Sequence, residues 1–305
     1  MRLRELGLLC CVVGCCWLGA QGWAAEETPG QHPVVFDADR AYRDLVAQCE
    51  FGPRVPGTKA HDECKMWLIT QLADCAGAEN MTLHLSSLQV GEKTLDLTSI
   101  EAVLNPSGEG HVLLCAHWDS RPHADRDPDP SKRGNPVPGA NDGASGVAVL
   151  LEIARVLKAH PPKQKVTIVL FDGEDYGTDE QGMFLGSRAY ARNYREALPD
   201  WAVLLDMVGD KDLWLLPEMH SERRAPQVVD RVWSAAMRAA CSAFTRGLGP
   251  AVMDDHIPLL DKGIPCIDII DFDYPYWHTT ADTPDKCSAA SLGQVGRAVL
   301  QAIGE

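Results

Sequence analysis

Lys165-Val166-Thr167-Ile168-Val169-Leu170-Phe171 runs straight into Asp172-Gly173-Glu174-Asp175. A β-branched, apolar run of this kind is the pattern of a strand covered on both faces. The acids then cluster at the strand's carboxyl end. Outward from this stretch the same alternation continues. Residues 111–116 and 201–207 read as further buried strands, 213–216 as a short one and 264–270 as another. Residues 144–159 carry Val147, Leu150, Leu151, Ala154 and Leu157 at helical spacing. Residues 39–49, 60–75, 225–244 and 288–303 also read as helices, and 81–88 and 99–104 as strands. Thr58, after the Pro- and Gly-punctuated loop 51–57, is placed to cap the second helix. Strands alternating with helices predict an α/β fold: a three-layer α/β/α sandwich around a mostly parallel, mixed central sheet. Ligand sites in such folds lie at the carboxyl ends of the strands.

The chain has 305 residues, 28 Lys and Arg against 43 Asp and Glu, and a formal net charge of −15. A surface of that sign repels phosphate backbones and argues against nucleic acid as a partner. No repeat or low-complexity tract divides the sequence, so residues 25–305 read as one domain. Residues 1–24 differ in kind. Arg2 and Arg4 precede an apolar run, and small residues lead to Ala24. This is the pattern of a secretory signal peptide, cleaved after Ala24, and implies a periplasmic or secreted protein with no membrane-spanning segment. Val12-Val13-Gly14-Cys15 also fits a lipoprotein signal with Cys15 lipidated. The short apolar run ahead of Cys15 favours simple secretion. Seven cysteines follow that segment: Cys49, Cys64, Cys75, Cys115, Cys241, Cys266 and Cys287. An odd number cannot all pair internally. One or two disulfides, for example through Cys64 and Cys75, are open to an exported chain, but most read as small buried apolar residues.

The polar residues gather where the expected strands end. His117-Trp118-Asp119, Asn141-Asp142-Gly143, Asp172-Gly173-Glu174-Asp175, Asp206, Asp254-Asp255-His256 and Trp277-His278-Thr279 each follow a strand or precede an element. Singly, each has a plainer reading: Asp142 as a helix cap, Asp172-Gly173 as a turn. Together, carboxylates brought to one end of one sheet repel one another unless a cation sits among them. Histidine mixed with Asp and Glu suits zinc.

These motifs, in order, resemble the M28-type zinc aminopeptidases and the glutaminyl cyclases that share their fold. The resemblance spans about residues 51–286. It rests on Phe51-Gly52-Pro53-Arg54-Val55-Pro56-Gly57, His117-x-Asp119, Gly139-Ala140-Asn141-Asp142-Gly143-Ala144-Ser145-Gly146, Phe171-Asp172-Gly173-Glu174-Asp175, Leu185-Gly186-Ser187, Leu205-Asp206-Met207, Asp254-Asp255-His256 and Trp277-His278-Thr279. The resemblance implies Asp142, Asp175 and His278 as zinc ligands and Glu174 as general base and acid. It implies His117 and Asp206 as ligands of a second zinc in an aminopeptidase. In a cyclase one zinc is bound, and Asp206 joins a hydrogen-bond network with Asp254. Asp119 would orient His117. Trp277 and Tyr274 would meet the substrate, the N-terminus of a peptide or protein. The ligand after the base is commonly Glu in this family and is Asp175 here.

Two activities share these parts. A peptidase uses a metal-activated water, with Glu174 taking its proton. A cyclase uses the α-amine of an N-terminal glutamine as nucleophile, so proximity supplies much of the rate. Asp254-Asp255-His256-Ile257-Pro258, Trp277 before His278, and Phe171-Asp172-Gly173-Glu174 are cyclase-like. Ala144-Ser145-Gly146 and Gly177 are aminopeptidase-like, no Trp lies between Asp175 and Gly186, and Asp268 stands where animal cyclases have His. The balance favours the cyclase. A non-catalytic binding module would be expected to have lost Glu174 or a ligand, and neither is missing. Plainer roles are expected for Arg54 (tying its loop through a carboxylate), for Asp271 and Asp273 (loop or surface), and for the acidic run 125–129 (solvated loop).

Overall fold

A computed structural model describes residues 35–305, apart from residues 92 and 180. The expected signal segment and Cys15 lie outside the described residues. Two capped helices open the fold. α1 (Ala38–Glu50) starts where the Asp37 side chain accepts the Arg40 N–H at 2.9 Å, and α2 (Lys59–Ala76) where Thr58 accepts that of His61 at 3.3 Å. Next come β1 (Met81–Val90), β2 (Lys93–Leu104), β3 (His111–His117), α3 (Ala144–Ala159), β4 (Lys165–Phe171) and α4 (Leu185–Asn193). β5 (Trp201–Asp206), α5 (Met219–Arg224), α6 (Pro226–Arg238), α7 (His256–Lys262), β6 (Cys266–Ile270) and α8 (Ala289–Ile303) complete the order.

The sheet runs β1-β2-β4-β3-β5-β6. Strands β4, β3, β5 and β6 are parallel, and β1 and β2 join antiparallel at one edge. The register His117↔Phe171 puts Leu113, Cys115 and His117 on one face and Leu114 and Ala116 on the other. Tyr190 of α4 meets Phe171 on the first face, with ring centroids 5.6 Å apart. On the second face Gly146 of α3 approaches Ala116 and the Leu205 carbonyl. Helices therefore cover both faces: α4 and α7 pack together on one, and α1, α2, α3, α6 and α8 on the other. The parallel strands explain the position of the acids. His117, Phe171 and Asp206 are the last residues of β3, β4 and β5, so all three chains leave the sheet at one edge.

Several sequence expectations change. Residues 213–216 form no strand; Leu215 makes one isolated bridge to Phe244. The helix expected over 225–244 ends at Arg238, because Ala240 turns the chain with φ 53 and frees Phe244 for that bridge. β2 begins at Lys93 because it pairs with β1 along a hairpin turned at Gly91 (φ 59). α4, α5 and α7 have no counterpart among the expected helices; each is too short to give a clear period. All seven described cysteines are free thiols.

α3 crosses close over β5 at Gly146. A Cβ on Gly146 would lie 2.1 Å from the Leu205 carbonyl oxygen, a backbone atom that cannot rotate away. Gly146→Ala is expected to lower stability by about 1–3 kcal/mol, read as a lower urea midpoint at unchanged m-value.

Candidate functional site

Two triads of buried side chains meet at the carboxyl edge of the sheet. One is His117, Asp142 and Asp206; the other is Asp142, Asp175 and His278. Within each, one potential ligand atom per residue lies within 4.8 Å of the others, and Asp142 belongs to both. His117 Nε2 is 3.1 Å from Asp142 Oδ1 and 3.1 Å from Asp206 Oδ1. His278 Nε2 is 3.4 Å from Asp175 Oδ1 and 3.7 Å from Asp142 Oδ2.

The surrounding chain is built to hold these atoms. Asp142 is not a helix cap: Gly143 is the N-cap of α3, and no side chain satisfies that end. Its own backbone N–H, and that of Asn141, donate to the buried Asp282 carboxylate at 3.2 and 2.9 Å. Asp119 lies 3.6 Å from His117 Nδ1 and accepts the backbone N–H groups of Glu174 (3.1 Å) and Asp175 (3.3 Å). It thus fixes the acidic loop as well as the imidazole. Asp172 is no mere turn residue; it is buried and accepts from Thr98 N at 2.7 Å and pairs with His61 Nε2 at 2.9 Å. His278 (φ 55) and Met207 (φ 46), the residue after Asp206, sit in the left-handed region. Each such residue costs about 1–3 kcal/mol, which the packing around the site must offset.

The donor set fits a divalent metal. Asp175 Oδ2 is buried without a hydrogen bond. Asp142, Glu174, Asp175, Asp206, Asp254 and Asp255 are all buried. Burial, then Asp175, Asp254 and Asp255, push the Glu174 carboxyl well above the usual range. Burial and Asp206 do the same to Asp254, and burial raises Asp255 to about 7. For His117 burial opposes the proton, but Asp119, Asp142 and Asp206 outweigh it and raise the pKa. A site that binds protons this readily in the absence of a cation is one that a cation would occupy instead. Mixed imidazole and carboxylate donors match zinc.

Glu174 Oε2 lies 4.0 Å from His117 Nδ1, and Glu174 immediately precedes Asp175 in the chain. Asp254 Oδ2 is buried without a partner, while its Oδ1 accepts the Asp255 N–H. Trp277 packs against His278 with ring centroids 3.9 Å apart and planes tilted by 31°. Tyr274 is placed differently from the sequence expectation: it is 3% exposed, and its hydroxyl donates to Asp282 at 2.7 Å. It therefore braces Asp142 from below. Arg54 does tie its loop down, but through the carbonyls of Pro138 and Gly139, both at 2.6 Å, and not through a carboxylate. In the acidic run, Asp127 is buried and accepts from Thr280, and Asp125 reaches Arg121 and His278. Asp271 is a loop support, accepting the Trp214 and Asp273 N–H groups. Sequence reasoning missed Asp282, Arg121 and Asp125. The polar Thr279-Thr280-Ala281-Asp282 after His278, and Arg121 after His117-Trp118-Asp119-Ser120, were the available signals.

Asp282 gives the site a pH signature in the metal-free protein. Burial and the neighbouring Asp142 raise it to about 7, above the unfolded value of about 4. Its contribution to stability is therefore complete below about pH 4 and lost as pH rises through about 7. In metal-stripped protein, the fall in melting temperature between those limits is expected to be shallower for Asp282→Asn than for the wild type.

Comparison with known proteins agrees with this geometry. Residues 99–303 match the peptidase family M28 profile. A glutaminyl-peptide cyclotransferase of Drosophila melanogaster is 28% identical over 260 residues, 75% of this chain and 70% of that protein. A Zn-dependent exopeptidase from Parabacteroides distasonis is 38% identical, with a TM-score of 0.85 over 89% of this chain and 99% of its own. A glutaminyl cyclase from Bacteroides thetaiotaomicron bound to N-acetylhistamine is 37% identical, with a TM-score of 0.86 over 90% and 99%. With residues 99–303 matching the family profile and about nine-tenths of the chain superposing on these solved structures, this chain belongs to peptidase family M28.

Proposed function

We propose that this chain is a zinc-dependent glutaminyl-peptide cyclotransferase. It converts the N-terminal glutamine of a peptide or protein to pyroglutamate and releases ammonia. The observation that carries this reading is the Trp277 indole packed on the ligand His278, with Glu174 buried near His117 in the same cluster. In this reading the indole would face one small substrate side chain, and Glu174 is the carboxyl that takes a proton and returns it.

Asp142, Asp175 and His278 would hold the metal. Bound there, zinc supplies polarisation of the side-chain amide of the substrate glutamine. Trp277 holds that side chain folded back towards its own α-amine, so the nucleophile and the amide carbon meet within one molecule. Glu174 takes a proton from the amine as the new carbon–nitrogen bond forms. It then gives the proton to the departing nitrogen as the old bond breaks, and ammonia leaves. Asp206 keeps its bond to His117, and burial together with Asp175, Asp254 and Asp255 holds Glu174 basic enough for this exchange. The signal-like N-terminus supports a periplasmic or secreted site of action, with lipidation at Cys15 as the variant form. Among the described residues no helix is long and apolar enough to cross a membrane.

One observation favours a second reading. His117, Asp142 and Asp206 form a triad of their own, as an aminopeptidase with two zincs would need. The purified protein with zinc is to be given two peptides, one beginning with glutamine and one with leucine, followed by mass spectrometry. Loss of ammonia from the glutamine peptide, with the leucine peptide intact, is expected. Release of free leucine would instead establish the aminopeptidase.

Glu174→Gln keeps the size of the side chain and removes the proton carrier. It is expected to reduce kcat by about 10²–10⁴-fold. Zinc content, measured by elemental analysis, should remain that of the wild type.

A further inference from the structure

Asp175 and His278 come from different loops, one after β4 and one after β6. Arg121, 4% exposed, packs against Asp175. Its Nη1 donates to the Asp175 carboxylate and, at 3.4 Å, to the Asp175 carbonyl. Its Nε donates to Asp125 Oδ1 at 2.7 Å and its Nη2 to Asp125 Oδ2 at 3.4 Å. Asp125 Oδ1 in turn faces His278 Nδ1 at 3.3 Å. The same segment grips the His278 loop through its backbone: Arg126 N donates to the His278 carbonyl at 3.2 Å, and Asp127 accepts from Thr280 N at 3.0 Å.

We propose that Arg121 and Asp125 form a bridge that positions Asp175 and His278 for the metal, and so set the metal affinity of the site. The inference rests on the ligand assignment above. A planar guanidinium can serve two carboxylates at once in fixed geometry; an ammonium cannot. One face of Arg121 fixes the Asp175 carboxylate and its backbone. The other fixes Asp125, which offers its oxygen to the side of the imidazole away from Asp142 and Asp175. Arg121 and Asp125 are positioning residues and touch neither metal nor substrate. Asp142 needs no such help, since Asp282 holds its backbone.

The sign of the effect distinguishes positioning from charge. Removing a cation from beside a metal site would by electrostatics alone tighten zinc binding. Loss of an outer-shell partner weakens it, typically by about 10–100-fold. Zinc affinity of the metal-stripped full chain is to be measured by chelator competition for the wild type, Arg121→Met, Arg121→Lys, Asp125→Ala and Asp175→Ala. The zinc-induced rise in melting temperature gives a second readout, because it follows the affinity for the folded state. Both Arg121 variants are expected to bind zinc about 10–100-fold more weakly, and the rise in melting temperature should shrink. A purely structural role would lower the melting temperature with and without zinc alike. Wild-type or tighter affinity in Arg121→Met, or full rescue by Arg121→Lys, would overturn the bridge while Asp175→Ala still loses zinc. Wild-type affinity in Asp175→Ala would instead remove the ligand assignment itself. If Arg121→Met fails to fold, Asp125→Ala decides: its carboxylate is 37% exposed and tolerant of change, and an unchanged affinity there overturns the proposal.

Discussion

Carboxylates crowded out of water at one edge of the sheet are the constraint on which the rest of this molecule depends. Asp142, Glu174, Asp175, Asp206, Asp254 and Asp255 are buried together, and each raises the cost of ionising its neighbours. Left alone, such a cluster takes up protons or opens the fold. A divalent cation resolves the repulsion and turns the same crowding into a binding site. The cluster exists because four parallel strands end together, which gathers loops distant in sequence at one rim.

The loops that carry the acids are held by their backbones. Asp282 takes the N–H groups of Asn141 and Asp142, and Asp119 those of Glu174 and Asp175. Each of these carboxylates acts as a fixed acceptor under a loop whose own side chains must point into the site. Arg54 does the corresponding work with donors, binding the carbonyls of Pro138 and Gly139. This division keeps the reactive side chains free of structural duty. Glu174 is the clearest case: its backbone is anchored by Asp119 and its carboxyl is left to move a proton.

Within this frame, M28 chemistry is a choice between two nucleophiles. Both triads are present, and they share Asp142. His117 is hydrogen bonded to Asp206 at 3.1 Å. That pair serves equally as ligands for a second metal or as a closed bond that keeps it out. The aromatic wall at Trp277 and the similarity to solved glutaminyl cyclases along the chain weigh towards the substrate's own amine.

Much of this was legible in the sequence because the signals were local. The run of Lys165–Phe171 reports a buried strand through composition, and the acids after it report a strand end. The helix that carries Gly146 was visible as a spacing of apolar residues. Residues whose meaning depends on distant partners were not legible. Tyr274 looked like a substrate residue until its hydroxyl met Asp282, and Arg121 and Asp125 looked like ordinary loop residues until they met Asp175 and His278. Helices α4, α5 and α7 were lost for a related reason, since so few turns are stabilised by what they pack on and not by their own period. By itself, the sequence determined the alternating strands and helices and the inventory of acids and histidines, because periodicity and side-chain chemistry are properties of adjacent residues. Only the tertiary structure decided which acids bind, which brace and which carry protons. That depends on burial and on hydrogen bonds between loops distant in sequence, such as that from Asn141 to Asp282, 141 positions apart.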